Sequence, residues 1–224
     1  MAQPRQPRQP IPIQNQVPNP VPMTLTNLFQ YVSFTAPILV IFFITLFSIM
    51  QNNIEKGLIF NIGIVILSFV VWIVKNVLKS KQNPNASPFC NVMPWPFAVV
   101  SSGGLVYDAP SLSIAILSFA SAYLIYPMMN NNQQNYPLIV FLVAITTINA
   151  VVVGHQQCSN MMGIISGILI GVLLGIGYYC LLYISKQSNL VYFSDTVSNN
   201  VQCSRPSRQN FKCEVYKNGE TISG

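Results

Sequence analysis

Charge is what this sequence has least of. Only 7% of its 224 residues are Asp, Glu, Lys or Arg, whereas soluble domains carry about 25%. The scarcity is greatest between positions 26 and 185, where the charged residues are Glu55, Lys56, Lys75, Lys79, Lys81 and Asp108. A soluble chain this poor in charge would lack the polar surface that keeps it dispersed, so the composition indicates a membrane protein.

The sequence also has little of the material from which catalytic and metal centres are made. His155 is its one histidine, and a zinc site needs three or four ligands. Cys158 is close by, but a thiol and a base so near in sequence rarely have the geometry of a nucleophilic pair. Lipid-phosphate phosphatases also carry a pair like Gly154-His155, yet their serine, second histidine and arginine are missing here. We therefore expect no enzyme, no cofactor and no metal.

The net charge of +6 raises the question of nucleic acid. The basic residues are scattered singly or in threes beside apolar segments, so they form no folded basic face of the kind that binds phosphates. Lysines that flank membrane helices account for most of the excess. We therefore expect no nucleic-acid partner.

Long apolar segments are what the sequence has in abundance. Five of them offer enough residues, at 1.5 Å each along a helix, to cross about 30 Å of hydrocarbon. They cover approximately residues 26–50, 57–74, 110–127, 137–153 and 161–185. Thr26 is the expected N-cap of the first, and proline opens the third and fourth, where its missing N–H costs nothing. The predicted fold is an all-α integral membrane bundle over residues 26–186.

Hydrophilic segments flank and interrupt this bundle. Residues 1–25 form a Pro/Gln-rich arm with the composition of a disordered segment, and residues 187–224 form a hydrophilic C-terminal tail. Within the tail, Asn218-Gly219 follows a strand-like alternation and predicts a β-hairpin. Prolines and glycines break up residues 83–107, which we interpret as an interfacial or re-entrant loop.

Lysines near the span ends predict the orientation of the chain. The connection between the second and third spans carries three and the connection before it carries one: Lys75, Lys79, Lys81 and Lys56. Because cytoplasmic loops are enriched in Lys and Arg, this distribution places the N-terminus and the 75–108 connection in the cytoplasm. The C-terminal tail is then on the opposite side.

The fifth span contains a stripe of glycines at intervals of four residues, Gly163, Gly167, Gly171 and Gly175. The third span has a matching stripe of small residues, Ser111, Ala115, Ser118 and Ala122. Small residues along one helix face let another backbone approach closely. We therefore predict that the fifth span packs through its glycines, either against the third span or against its own copy in another subunit.

Polar residues inside the spans are few, namely Asn61, Thr146, Thr147 and Asn149. Such residues usually form hydrogen bonds between membrane helices, which is the first interpretation. The second is that they line a narrow polar path. No ionisable residue is expected in the middle of the membrane, so a proton relay is poorly supported.

The five cysteines allow more than one disulfide. Cys203 and Cys213 lie in the tail, where a disulfide would help a short segment hold its shape, and we predict that they are bonded. Cys180 lies in the fifth span and is expected to pack as a small apolar residue. Cys90 and Cys158 lie in connections on the opposite side of the membrane from the tail. An ordinary cell membrane would not leave both sides oxidised, so we expect thiols at these two positions.

Several features lie together in the C-terminal part of the chain. They are Gly154-His155, Asn160, the glycine stripe and the closing segment Phe211-Lys212-Cys213-Glu214-Val215-Tyr216-Lys217-Asn218-Gly219-Glu220. Over residues 154–220 the chain thereby resembles uncharacterised membrane proteins of nucleocytoplasmic large DNA viruses. Those viruses have an internal lipid membrane beneath the capsid. The resemblance implies a virion membrane component, and a setting in which disulfides also form in cytoplasmic factories.

The preferred functional hypothesis is therefore structural. It is a scaffold in a viral internal membrane, or in a host membrane during assembly, whose tails contact capsid or other membrane proteins. The alternative is a small viroporin-like channel, a homo-oligomer built on the glycine-rich fifth span, and a membrane enzyme comes third. A dry bundle interior would favour the scaffold, and a continuous water path along Asn61, Thr146 or Asn149 would favour the channel.

Overall fold

The computed structural model describes residues 24–87, 90, 107–187, 190–193, 215–217 and 220–222. Most of the N-terminal arm, of the predicted 83–107 loop and of the C-terminal tail, including Cys203 and Cys213, lies outside these residues. The described elements are α1 (Leu25–Met50), α2 (Ile54–Leu78), α3 (Leu112–Asn130), α4 (Tyr136–His155), α5 (Met161–Ile184), β1 (Val215–Lys217) and β2 (Glu220–Ile222). All five helices are long and apolar enough to cross a membrane, which confirms the predicted bundle of five helices.

The ends of α1 and α2 differ from the predicted ones. Thr24, and not Thr26, is the N-cap of α1, because its side chain accepts a hydrogen bond from the Asn27 backbone N–H at 3.4 Å and so satisfies one of the unpaired donors of the first turn. α2 begins at Ile54, three residues earlier than predicted, which shortens the first connection. It continues past the predicted end to Leu78, and its C-cap Lys79 has a left-handed φ of 48°.

Prolines define the helix ends only in part. Pro137 lies in the first turn of α4, as expected for a residue that lacks the N–H. Pro110 was predicted to occupy the same place in the third span, and this is wrong: it follows a cis peptide bond after Ala109, and Ser111 is the N-cap of α3. Pro127 lies inside α3, which continues to its end at Asn130.

α3 is the central helix of the bundle and contacts each of the other four. Eleven of its 19 residues are buried, whereas only three of the 20 residues of α4 are. Both helices are apolar all round, which is expected of a helix that is buried or spans a membrane. The apolar surface of α3 is mostly buried by the other helices, whereas most of the apolar surface of α4 is not covered by protein.

Aromatic rings from three helices fill the middle of the bundle. Phe119 and Tyr123 of α3 stack with their ring centroids 6.0 Å apart. Phe60 of α2 lies 5.7 Å from Tyr123, and Tyr178 of α5 lies 5.9 Å from it on centroid distances. The Tyr178 hydroxyl donates a hydrogen bond to the backbone carbonyl of Ile59 at 2.9 Å, so α2 and α5 are fixed against the same face of α3.

The two strands form an antiparallel hairpin near the end of the chain. Val215 is opposite Ile222, and Lys217 is opposite Glu220. Two residues of sequence, positions 218 and 219, separate the strands, at the place where the turn pair predicts a hairpin.

Candidate functional site

Among the described helices, α3 and α5 pack closely along most of their length. A Cβ atom placed on Gly167 would lie 2.9 Å from the Ser111 carbonyl oxygen, and one on Gly175 would lie 2.8 Å from the Phe119 carbonyl oxygen. A Cβ on Gly171 would lie 2.8 Å from the Ser118 Cβ. Carbon atoms normally approach no closer than about 3.5 Å, so only glycine allows this contact.

The structure brings the two small-residue stripes together within one chain. All of the predicted α3 positions contact a glycine of α5 or lie beside one: Ser111, Ala115, Ser118 and Ala122. Gly163, at the start of α5, meets Ala109 just before α3, and its carbonyl oxygen accepts a hydrogen bond from the Ser111 N–H at 3.0 Å. The glycine face is therefore already occupied, and a second copy of α5 has no access to it.

Two asparagines inside the spans hold α1 to its neighbours. Asn149 of α4 is fully buried, and its side-chain amide donates to the Ser33 carbonyl oxygen of α1 at 2.7 Å. Asn61 of α2 donates to the Thr45 hydroxyl of α1 at 2.9 Å. These bonds lie on different helix pairs, so the two amides do not line a common path.

The two threonines differ from each other. The Thr146 hydroxyl of α4 lies 3.2 Å from the Ser121 hydroxyl of α3, which links these helices. Thr147 is exposed, and its hydroxyl donates to the Val143 carbonyl oxygen of its own helix at 2.8 Å. Three of the four predicted polar residues thus bond between helices, and the fourth faces away from the bundle.

Replacing Asn149 with leucine, which has a similar volume, is expected to destabilise the bundle by about 1 kcal/mol, the usual worth of a hydrogen bond between membrane helices. Thr147→Val is the matched control, because this neighbouring hydroxyl bonds only within its own helix. The measurement is thermal unfolding of the two variants in the same detergent. Equal melting temperatures for both variants would show that the Asn149 bond contributes nothing.

The disulfide of the described chain joins Cys90 and Cys158, with Cα atoms 5.4 Å apart and a sequence separation of 68. The expectation of thiols at these positions is wrong, because it rested on an orientation taken from the lysines. The predicted pair Cys203 and Cys213 lies outside the described residues. Cys180 is a free thiol, partly buried in α5, as expected.

Hydrogen bonds surround this disulfide and hold the same two connections together. The Ser87 N–H donates to the Gln156 carbonyl oxygen at 3.2 Å. The Asn83 side chain donates to the Gln157 side chain at 2.9 Å, and the Gln82 side chain donates to the Cys158 carbonyl oxygen at 3.3 Å. The described parts of the α2–α3 connection, residues 79–87, 90 and 107–111, therefore pack on the α4–α5 connection, and we call this region the disulfide end of the bundle.

Asp108 is the buried charge of the disulfide end, with 5% of its surface exposed. Its carboxylate accepts a hydrogen bond from the Asn160 N–H at 3.1 Å, at the N-terminus of α5, where the helix dipole favours a negative charge. Its backbone N–H donates to the Ser80 carbonyl oxygen at 3.1 Å, and its backbone carbonyl accepts from the Ser159 hydroxyl at 3.0 Å. Asp108 thus ties the start of α5 to the chain that enters α3.

Lys75, near the end of α2, also bonds within the disulfide end. Its ammonium group donates to the Tyr107 carbonyl oxygen at 3.2 Å, one residue before Asp108 in sequence. This bond ties the end of α2 to the chain that enters α3.

Replacing Asp108 with alanine is expected to destabilise the protein by about 1.5–3 kcal/mol, the worth of a hydrogen bond to a charged group. The substitution leaves the Asn160 N–H without its acidic partner. Glu55→Ala is the control, because Glu55 is exposed in the first turn of α2. Thermal unfolding in detergent measures both, and an equal loss in the two variants would contradict a structural role for Asp108.

The opposite end of the bundle is closed by residues 190–193, which follow α5. Val191 is 1% exposed and belongs to the same core as Tyr123 and Met128. The side chain of Asn131, at the end of α3, donates to the Phe193 carbonyl oxygen. Burial raises the pKa of the Tyr192 hydroxyl, so this ring is neutral at physiological pH. The chain folds back under the bundle here and seals it.

The described residues offer little for catalysis. His155 is exposed in the last turn of α4. Among the residues that the structure describes, no three His, Cys, Asp or Glu side chains form a group that could hold a metal. What this arrangement does is fix helices against each other.

Two features escaped the sequence reasoning. Val191 and Tyr192 are apolar residues in a segment interpreted as hydrophilic tail, and four residues are too few for a periodic pattern. Asp108 is the one acidic residue between positions 56 and 194, and an isolated carboxylate beside apolar spans was a usable signal for a buried, partnered charge.

Fold and site together define a bundle of five helices, each long and apolar enough to cross a membrane, and the described residues contain no metal-binding group. Comparison with family models, with curated proteins and with solved structures gives no match. The resemblance to membrane proteins of large DNA viruses therefore stays an expectation drawn from the sequence.

Proposed function

We propose that this protein is an integral membrane scaffold, and that its five helices cross a lipid bilayer. The outward faces support insertion. On α1, Phe42, Phe43 and Phe47 each expose more than half of their surface, and α4 exposes Val140 and Val151 to a similar degree. Apolar surface of this extent on a soluble monomer would drive aggregation. A bilayer covers it.

The observation that carries the scaffold proposal is the filled interior of the bundle. α3 is enclosed by protein, and the backbone of α3 seats directly on the glycines of α5. The polar side chains inside the spans are distributed over separate helix pairs. Residues 190–193 cover one end and the disulfide end closes the other. A bundle built in this way holds a fixed shape in the membrane and offers no continuous water path along the described residues.

The tails are the parts that would reach other proteins. The N-terminal arm is rich in Pro and Gln, and the C-terminal tail holds seven of the charged residues and the β1–β2 hairpin. On the resemblance to large DNA virus proteins, the membrane is the internal membrane of a virion, or a host membrane during assembly. The partners are then capsid or other virion membrane proteins. The tails would link the membrane to these proteins.

The oligomeric channel is less well supported. It was based on the glycine face of the fifth span, and α3 covers that face within one chain. A channel would also need Asn61, Thr146 and Asn149 to face one water-filled path. Instead, their hydrogen bonds join three different pairs of helices. Purified protein in a planar bilayer is therefore expected to give no conductance above that of protein-free lipid.

Crosslinking mass spectrometry on the native membrane or particle tests the scaffold directly. We expect crosslinks from lysines of the C-terminal tail, Lys212 and Lys217, to other structural proteins. Extraction at alkaline pH accompanies it and should leave the chain in the membrane pellet. If the protein crosslinks only to itself and conducts in a bilayer, the channel hypothesis is supported and the scaffold hypothesis is contradicted. Release of the chain at alkaline pH would show that it is not inserted in the membrane.

A further inference from the structure

We infer that the disulfide end of the bundle faces an oxidising compartment outside the cytoplasm, so that the N-terminal arm is outside and the C-terminal tail is in the cytoplasm. The inference rests on the proposed insertion of all five helices. It reverses the orientation that the lysine distribution predicts. Three observations carry it.

The first is that both cysteines lie on one side of the membrane. In a chain that crosses five times, the α2–α3 and α4–α5 connections emerge on the same face. Cys90 belongs to one connection and Cys158 to the other, and their Cα atoms are 5.4 Å apart, within the range that a disulfide requires. A disulfide between these two connections is therefore consistent with five spans.

The second observation is that the fold itself brings the cysteines together. Hydrogen bonds from Gln82, Asn83 and Ser87 to the 156–158 segment hold the two connections side by side independently of the sulfur atoms. Closing the bond removes two electrons and two protons from the two thiols. An oxidised dithiol protein of the secretory compartment accepts them by thiol–disulfide exchange. The cytoplasm of an ordinary cell keeps such thiols reduced. In a cell without a viral oxidase in its cytoplasm, a disulfide at this end therefore indicates the other compartment.

The third observation is that the lysine bias against this orientation is small. Lys75 is bonded to the Tyr107 carbonyl oxygen and so is part of the folded disulfide end. Lys79 and Lys81 remain at this end. Two lysines flank the spans at the opposite end, namely Lys56 and Lys186.

The arginines of the tails do not cancel this bias. The orientation rule counts Lys and Arg within about 15–20 residues of the span ends. Arg8 lies 17 residues before the start of α1, whereas Arg205 and Arg208 lie 21 and 24 residues after the end of α5. We give the disulfide more weight than this small bias of basic residues, and it places Cys203 and Cys213 in the reducing cytoplasm as thiols.

The test uses sealed microsomes, with the cytoplasmic face outward, from eukaryotic cells that make the full chain with Cys180→Ser. The probes are a membrane-impermeant maleimide–polyethylene glycol and the impermeant reductant TCEP. Without reductant we expect two polymer units per chain, on Cys203 and Cys213. The matched control also carries Cys203→Ser and Cys213→Ser. In sealed vesicles it should take up no polymer, with or without TCEP, and in detergent without TCEP it should also take up none. In detergent with TCEP it should take up two units, on Cys90 and Cys158.

Each other outcome overturns the inference. Labelling of the control variant in sealed vesicles after TCEP would place the disulfide in the cytoplasm and require a dedicated oxidase there. Labelling of that variant in detergent without TCEP would show that Cys90 and Cys158 are thiols. Protection of Cys203 and Cys213 until detergent is added, whether they are thiols or bonded, would place the tail in the lumen.

Failure of the orientation is distinguishable from failure of the proposed function. If the chain stays in the pellet at alkaline pH but Cys203 and Cys213 are protected until detergent is added, it is a membrane protein whose C-terminal tail lies outside the cytoplasm. A chain that is released at alkaline pH does not span the membrane, and the proposed function then fails together with the inference.

Discussion

Replacing Gly171 with leucine is expected to disrupt the bundle, with the largest effect of any single substitution considered. A Cβ at this position would lie 2.8 Å from the Ser118 Cβ and 3.0 Å from the Phe119 backbone nitrogen, and closer still to the Ala115 carbonyl oxygen. Overpacking costs up to about 3 kcal/mol where side chains can yield, and here two of the three neighbours are backbone. We expect a loss of about 3 kcal/mol or more, or a melting temperature lower by roughly 6–12 °C.

Gly177 provides the control within the same helix. A Cβ added there meets nothing within 4 Å, so Gly177→Leu points into the surroundings of the bundle and should change the stability by no more than about 0.5 kcal/mol. Both variants are to be compared by thermal unfolding in one detergent. Equal destabilisation by the two substitutions would mean that α5 does not pack on α3 through its glycine face.

Removing the disulfide is expected to have the second largest effect. Cys90 and Cys158 are 68 residues apart in sequence, and a loop of this length corresponds to about 4 kcal/mol in the chain-entropy picture. Helices that remain in detergent or lipid after unfolding lower that figure, so we expect about 2–4 kcal/mol for Cys90→Ser with Cys158→Ser. Thermal unfolding with and without reductant measures it.

Two comparisons make the disulfide prediction specific. Reductant should lower the melting temperature of the natural chain to that of the double variant, and should leave the double variant unchanged. Cys180→Ser should behave like the natural chain, because Cys180 is a free thiol in α5. A natural chain that is indifferent to reductant would contradict a stabilising role for the Cys90–Cys158 bond.

The sequence predicts the helices well because their signal is local. An apolar segment of about 20 residues has few alternatives to a helix of membrane length, and α1 and α5 end within two residues of their predicted limits. The α3–α5 packing is also accessible from sequence, since four glycines at one spacing and a second small-residue stripe at helical spacing define two complementary faces. Neither inference needs to know how the rest of the chain folds.

The pairing of cysteines and the closure of the bundle were not accessible in this way. The choice between Cys90–Cys158 and Cys203–Cys213 was made from the lysines, and Lys75 was counted as a free charge although it is bonded inside the disulfide end. Val191 and Tyr192 belong to a core cluster that draws residues from all five helices, and the neighbouring Phe193 is bonded to Asn131, 62 positions earlier. Contacts of that kind leave no periodic pattern in the sequence.

The central claim is that the chain crosses a membrane five times, which places its two ends on opposite faces. The direct measurement is protease accessibility of one epitope tag at the N-terminus and another at the C-terminus, in the same sealed vesicles. We predict that only one of the two tags is digested until detergent is added, whichever orientation the chain has. Digestion of both tags, or protection of both, would mean an even number of spans and would contradict the five-helix membrane bundle.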